Sequence, residues 1–217
     1  MSNLRFKYQT IEFGLIDIHV KTLRSKQEYY DKYNVASNLG IHEAVWSLFG
    51  VIWPSSKILA HHMHDFDTKN KKILEVGCGM ALTSLMLNHR DDDISATDYH
   101  PEVESFLEQN TLLNHDKKIP YIRIDWEDTN NQLGTYDLII GSDLLYQPDH
   151  INLLSSFINR HANQKCEVII VDPGRGNYNK FSKNMVDLGF VHTQYKPENT
   201  QDYLEESFKG KVLIYTR

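Results

Sequence analysis

An apolar run that breaks on two glycines separated by one residue constrains this chain more than any other feature. Ile73-Leu74-Glu75-Val76 reads as a short buried strand, Gly77-Cys78-Gly79 as a tight turn, and Met80–Leu87 carries a helical pattern. A second apolar strand, Ile94–Thr97, follows and stops on Asp98. Strand, helix and strand in close succession form a parallel βαβ unit, because two parallel strands need a crossover between them. Two glycines and two acids therefore fall near the carboxyl ends of neighbouring parallel strands. In an open α/β sheet that edge receives the ligand.

The alternation continues to the end of the chain. Tyr121–Ile124, Asp137–Ile140 and Val168–Val171 are strand candidates, and Pro101–Leu113 and His150–Arg160 are helical patterns. Right-handed crossovers then place helices on both faces of one sheet. The stretch from Ile124 to Asp137 is too short for a long helix and reads as loop. Two last strands, Phe190–Gln194 and Lys211–Thr216, are joined by a polar segment.

The N-terminal part has a different rhythm. Phe6, Tyr8, Ile11 and Phe13 precede Gly14, and Ile16, Ile18 and Val20 then alternate with Asp17, His19 and Lys21, which is a hairpin pattern. Residues 24–43 are polar, contain Tyr29, Tyr30 and Tyr33, and read as an irregular loop or lid with room for one short helix. Trp53-Pro54-Ser55-Ser56 opens a helix, with Pro54 in the first turn where its missing N–H costs nothing, and Ile58, Leu59 and Met63 form its buried stripe. Asp65–Lys72 is a charged connector. A single domain, 1–217, is expected, with 1–64 as hairpin, loop and helix and 65–217 as the core.

At 217 residues a chain can bury roughly 70% of its unfolded surface, so a core needs no staples. The formal charge is −6, with 23 Lys and Arg against 29 Asp and Glu, which disfavours a nucleic-acid partner. Two cysteines, Cys78 and Cys166, make neither a disulfide framework nor a zinc motif and fit a reducing, cytoplasmic setting. The opening Met1-Ser-Asn-Leu-Arg-Phe-Lys-Tyr8 lacks the apolar core of a signal peptide, and the longest apolar patch, Val45–Trp53, is too short for a bilayer, so no membrane partner is expected.

The turn can be tested against its possible ligands. A dinucleotide fingerprint needs a third glycine, and Leu82 stands there. Glu75 would also repel a pyrophosphate. Glu75 suits a ligand with positive charge or donor groups, and Asp98 suits a ribose diol. A ribose-bearing cation without phosphate describes S-adenosylmethionine, whose methionine part the glycines let the backbone approach.

Glu75-Val-Gly-Cys-Gly resembles motif I of the class I, seven-strand methyltransferases, and Asp98 resembles their ribose-binding acid. Val51-Ile52-Trp53-Pro54-Ser55, Asp125-Trp126 and Gly141-Ser142-Asp143-Leu144-Leu145-Tyr146 resemble the markers of the protein-lysine methyltransferase branch, which acts on chaperones, elongation factors and electron-transfer flavoprotein. The likeness runs from about Trp46 to Val171. It implies an α/β fold: a Rossmann-like seven-strand methyltransferase sheet, mostly parallel with an antiparallel last strand, with the N-terminal β-hairpin and helix packed over the cofactor mouth. It also implies S-adenosyl-L-methionine as cofactor and a protein substrate; a monomer is expected. By the same resemblance Trp53 contacts the cofactor, Gly77, Cys78 and Gly79 line its methionine part, and Asp98 holds its ribose. Trp126 covers the adenine with Asp125 near the exocyclic amine, and Ser142 takes the small position after the glycine. Asp143 and Tyr146 match the D-x-x-Y motif that positions the acceptor. Asp172-Pro173-Gly174-Arg175 departs from many relatives and is similar to the flavoprotein-lysine subgroup. The first 45 residues match no motif of the family, which leaves the protein acceptor open.

Methyl transfer from a sulfonium asks for alignment and exclusion of water, not for a covalent nucleophile. Asp143 would bind and orient the amine while desolvation favours its free base. Tyr146 could hydrogen-bond the amine or face it as a cation. Plainer readings stand beside these. Asp143 also suits a cap for the turn that follows, Cys78 a small filler between glycines, and Trp53 and Trp126 core positions. Arg175 suits either a substrate contact or an exposed turn. His61, His62 and His64 do not share one helical face, so no metal site is expected and a solvated helix end is. Histidine or small-molecule N-methylation, and a non-catalytic binding module, are the alternatives to lysine methylation.

Overall fold

A computed structural model describes residues 5–217. Of the chain opening read above as lacking a signal peptide, residues 1–4 lie outside the described part. The main body is one seven-stranded sheet. It is built from β3 (Lys72–Val76), β4 (Asp93–Asp98), β5 (Tyr121–Arg123), β6 (Tyr136–Ser142), β7 (Ala162–Asp172), β8 (Val191–Tyr195) and β9 (Lys211–Thr216), in the order β5-β4-β3-β6-β7-β9-β8. β3, β4, β5, β6 and β7 pair parallel, and β9 runs antiparallel to both β7 and β8. The expected fold, including the antiparallel last strand, is the one observed.

The strands alternate their side chains between two separate cores, as a sheet covered on both faces must. Ile73, Leu138, Ile140, Ile169 and Val171 face one core, which also takes α2 (Pro54–His64), α3 (Leu82–His89) and α4 (Val103–Leu113). Leu74, Val76, Ile139, Val168 and Ile170 face the other, which takes α5 (His150–His161) and α6 (Tyr178–Asp187). α2 starts at Pro54 and buries Ile58, Leu59 and Met63, as its pattern predicts. The 124–136 crossover holds no helix, also as expected.

Three findings differ from the sequence reading, one unexpected helix and two corrected expectations. α6 forms after Asp172, where no helix is expected above, although Tyr178, Phe181 and Met185 recur there at helical spacing. Its stripe is short, with Phe181 and Met185 fully buried and Asn, Lys and Ser around them. Second, His61, His62 and His64 are not a solvated helix end. His61 stacks on Tyr203 at 3.7 Å, Tyr195 Oη meets His62 Nδ1 at 2.9 Å, and burial holds His61 down at about 4. Tyr203 and Tyr195 take up the rings of His61 and His62, and His64 lies between Phe13 of the hairpin and Asp65.

Third, the hairpin β1 (Phe6–Phe13) and β2 (Ile16–Leu23) forms as expected, with Phe13 opposite Ile16 around Gly14-Leu15, but it does not cover the carboxyl edge of the sheet. It lies along α4 as an outer layer. Asn114 exchanges two hydrogen bonds with the backbone of His19, at 2.8 and 2.7 Å, and Asn110 does the same with Lys21. The segment that follows the hairpin covers the edge instead. It contains α1 (Val35–Asn38) and two single turns, Glu43–Val45 and Leu48–Gly50. No helix among the described residues is long and apolar enough to cross a membrane.

Candidate functional site

Four neighbouring strands end level with one another. Val76 is opposite Thr97 on one side and Gly141 on the other, and Ser142 is opposite Val171. The residues that follow, Gly77, Asp98, Asp143 and Asp172, therefore emerge side by side. The sheet order reverses between β3 and β6, with α3 and α5 on opposite faces, which opens the crevice at this edge.

The glycine turn is bound to its neighbour strand. Asp98 accepts the N–H of Gly79 on Oδ2 at 2.8 Å and that of His100 on Oδ1 at 2.8 Å. Burial pushes the Asp98 carboxyl up, against these backbone hydrogen bonds. Each oxygen keeps further lone-pair capacity, since a carboxylate can accept about four hydrogen bonds. Gly77 and Gly79 have φ of 58° and 51°, a region that suits glycine. Their side-chain faces are crowded: a Cβ on Gly77 would strike Leu144 and come to 3.8 Å from Trp126, and one on Gly79 would lie 3.3 Å from the Phe49 carbonyl. Cys78 donates its N–H to Thr97 and turns its thiol into the core, where burial pushes its pKa well up. Only its backbone is left to line the crevice, so its side chain is the small filler.

Glu75 sits on the α3 side of β3 and is 2% exposed. Its Oε2 accepts both the N–H of Ser84, at 2.9 Å, and the Ser84 hydroxyl. It thus caps the first turn of α3, whose own N-cap residue Ala81 has no side-chain acceptor. Burial raises its pKa to about 7. No Lys or Arg side chain among the described residues hydrogen-bonds to Gly77, Cys78, Gly79 or Asp98.

The two tryptophans divide. Trp126 packs beside the second core near Gly77, edge-on to His150 with centroids 5.2 Å apart, and its carbonyl accepts from Arg160 at 2.6 Å. Asp125 is exposed and accepts the Glu127 N–H at 3.0 Å, which shapes its own turn. Trp53 spends its indole N–H on the Leu48 carbonyl, at 2.8 Å. It braces the Leu48–Gly50 turn that carries Phe49 over Gly79, and no hydrogen bond among the described residues joins it to Gly77 or Asp98. Phe49, not apparent in the sequence as a site residue, stacks on His100 at 3.9 Å.

At the end of β6, Gly141 gives Leu144 room, and Ser142 lies partly exposed beside it. Asp143 has φ 56° and donates its N–H to Val171. Its carboxylate is held by Arg175 through two hydrogen bonds, of 2.5 and 2.8 Å. Tyr146 is 43% exposed and edge-on to His150 at 4.6 Å. Desolvation, with the carboxylates of Asp98 and Asp143, pushes its phenol up to about 12, so it is a donor at neutral pH. His150 accordingly separates Trp126 from Tyr146, with its Nδ1 fixed at 2.8 Å from the Leu144 carbonyl. Sequence spacing gave no sign of that role, because His150 sits at a helix start. Among the described residues no cluster of His, Cys, Asp and Glu could hold a metal ion.

The chain is similar to several proteins of known name. The histidine protein methyltransferase 1 homolog of Dictyostelium discoideum is 29% identical over 136 residues, which is 58% of this chain and 43% of that protein. The protein N-lysine methyltransferase METTL21A of Xenopus tropicalis is 24% identical, over 58% of this chain and 62% of its own. The electron transfer flavoprotein beta subunit lysine methyltransferase of Mus musculus is 25% identical, over 63% and 53%. This chain thus spans roughly half the length of these relatives. In fold it resembles the T. thermophilus 16S rRNA N2 G1207 methyltransferase solved with AdoMet and guanosine, with TM-score 0.69 at 11% identity, covering 99% of this chain and 51% of that one. It also resembles a methyltransferase from Pyrococcus furiosus, with TM-score 0.59 at 18% identity, over 75% and 82%. The family model described as lysine methyltransferase matches residues 34–187, from the loop over the crevice through α6, and the chain belongs to that family.

Proposed function

We propose that this chain is an S-adenosyl-L-methionine-dependent N-methyltransferase whose acceptor is a protein lysine side chain. One observation carries the reading: Asp98 leaves β4 beside the glycine turn, binds the Gly79 N–H, and keeps free acceptor capacity on both oxygens. That is the chemistry a vicinal diol needs. Glu75 adds an acid behind the same turn, which fits a ligand without phosphate. These residues fit the cofactor. Gly77 and Gly79 would admit its methionine part, Asp98 its ribose, and Trp126 with Asp125 its base.

The cofactor would supply an activated methyl on a sulfonium, with the C–S electron pair leaving onto sulfur. The protein's own part is placement. Trp126, His150 and Tyr146 form a row of rings from the glycine turn to the D-x-x-Y segment, which would exclude water along the path of the acceptor. Tyr146, protonated at neutral pH, would donate or turn its ring to the amine. A protein acceptor agrees with the family, and a net charge of −6 disfavours nucleic acid. A cytoplasmic monomer remains the reading for compartment and assembly.

Histidine is the second reading for the acceptor, favoured by the likeness to a protein named for histidine methylation. Calorimetry with S-adenosylmethionine tests the first step. Wild type should bind, and Asp98→Ala should lose most of that affinity; no binding, or equal binding by both, would sink the proposal. Lysate incubated with methyl-labelled cofactor and wild-type protein should then label a protein band at lysine, against histidine or a soluble small molecule.

A further inference from the structure

Asp143, the carboxylate expected to meet the acceptor, already has a partner. Arg175 Nε donates to Oδ1 at 2.5 Å and Nη2 to Oδ2 at 2.8 Å, a two-pronged fork. The exposures are unequal: Asp143 is 11% exposed and Arg175 41%. The guanidinium therefore reaches inward from the surface onto an enclosed carboxylate.

Both ends of the fork are built. Asp172, at the end of β7, accepts the N–H groups of Gly174 and Arg175 on Oδ1 at 2.8 and 3.2 Å. Gly174 and Gly176, at φ 98° and 86°, let the chain turn sharply on either side of Arg175. On the other strand Asp143 is fixed by its N–H bond to Val171. The other ionisable groups facing the pair are Asp172, Tyr146 and, beyond Tyr146, Asp98.

The consequence is electrostatic. A bare carboxylate beside the acceptor would hold a lysine as its ammonium ion, which has no lone pair with which to attack. A carboxylate paired with a guanidinium presents little net charge. Its outer lone pairs can still accept an N–H from a neutral amine. Resting on the reading above that this site methylates an amine, we propose that Arg175 is a positioning residue which keeps Asp143 as a neutralised pair, so that the acceptor amine is received uncharged.

The test uses n-butylamine as a side-chain probe on the full chain loaded with S-adenosylhomocysteine, followed by ligand-observed NMR from pH 7 to 9. Wild type should bind only the free base, so its apparent affinity should rise about tenfold per pH unit. Arg175→Met should bind the ammonium form, at least about tenfold more tightly at pH 7 and with little pH dependence. Arg175→Lys should keep the wild-type slope, and Asp143→Asn with Arg175→Met should lose the gain. Arg175→Gln replaces Arg175→Met if the latter does not fold. Equal affinity and slope in wild type and Arg175→Met, including no binding by either, would overturn the role of Arg175. Cofactor binding is measured first: its absence in wild type overturns the methyltransferase reading, whereas intact binding with no change in the variant overturns Arg175 alone.

Discussion

Asn110 and Lys21 pair as if they were two strands of a sheet. The Asn110 side-chain amide accepts the Lys21 N–H at 2.8 Å and donates to the Lys21 carbonyl at 3.1 Å. A helical residue thus closes the open edge of the hairpin. Asn110 is fully buried, so Asn110→Ala should leave two backbone groups without partners and cost about 2–3 kcal/mol. Hydrogen exchange should rise over residues 16–23 more than in β3 or β6. Uniform exchange across all strands would show that the hairpin does not open on its own.

Glu75 makes stability depend on pH in a direction unusual for an acid. Burial raises its pKa from 4.5 to about 7 in the folded chain. The folded state therefore holds the proton more tightly than the unfolded one. Its contribution is complete below pH 4.5 and is lost as pH rises through about 7. The difference in unfolding free energy between wild type and Glu75→Gln should fall by on the order of 3 kcal/mol across that window. Denaturant titrations at several pH values read it, and a constant difference would contradict it.

Gly77→Ala should cost about 2–4 kcal/mol, through a positive φ and a collision with Leu144. The two causes separate in the pair Gly77→Ala with Leu144→Ala. If the double variant costs less than the sum of the single ones, the collision is real. Additive costs would leave backbone strain as the whole effect.

Trp53→Phe keeps a ring and removes the N–H that holds the Leu48 carbonyl. The loss should be about 1 kcal/mol. The Leu48–Gly50 turn should loosen, read as faster proteolysis or exchange near Phe49. If Trp53 serves the turn, cofactor affinity should fall with Phe49→Ala as well, in proportion to the loosening. A full loss with Trp53→Phe and none with Phe49→Ala would make Trp53 a direct contact.

The sheet was legible because burial on both faces writes itself as short apolar runs, and the glycine turn because close approach and positive φ exclude side chains. Asp98 was legible for the same reason, as the acid ending a buried strand. What escaped depends on contacts between elements distant in sequence. Arg175 meets Asp143 only because β6 and β7 end level, and no spacing within either segment encodes that fork. His150 falls between Trp126 and Tyr146 by the packing of α5. α6 was legible in the spacing of Tyr178, Phe181 and Met185 but is masked by the Asn, Lys and Ser around them, and the direction of the hairpin is set by Asn110 and Asn114, which look like ordinary polar residues of a surface helix.

β8 has one neighbour in the sheet, and that neighbour is β9. β9 also follows β8 in the chain, after the 196–210 segment. During synthesis β8 can therefore gain no ladder partner until β9 has left the ribosome, and β7 gains none on its β9 side until then either. The edge of β7 that β9 covers stays open for as long as that takes. Those few seconds, at about 5–20 residues per second, are when this sheet is exposed to pairing with the wrong strand.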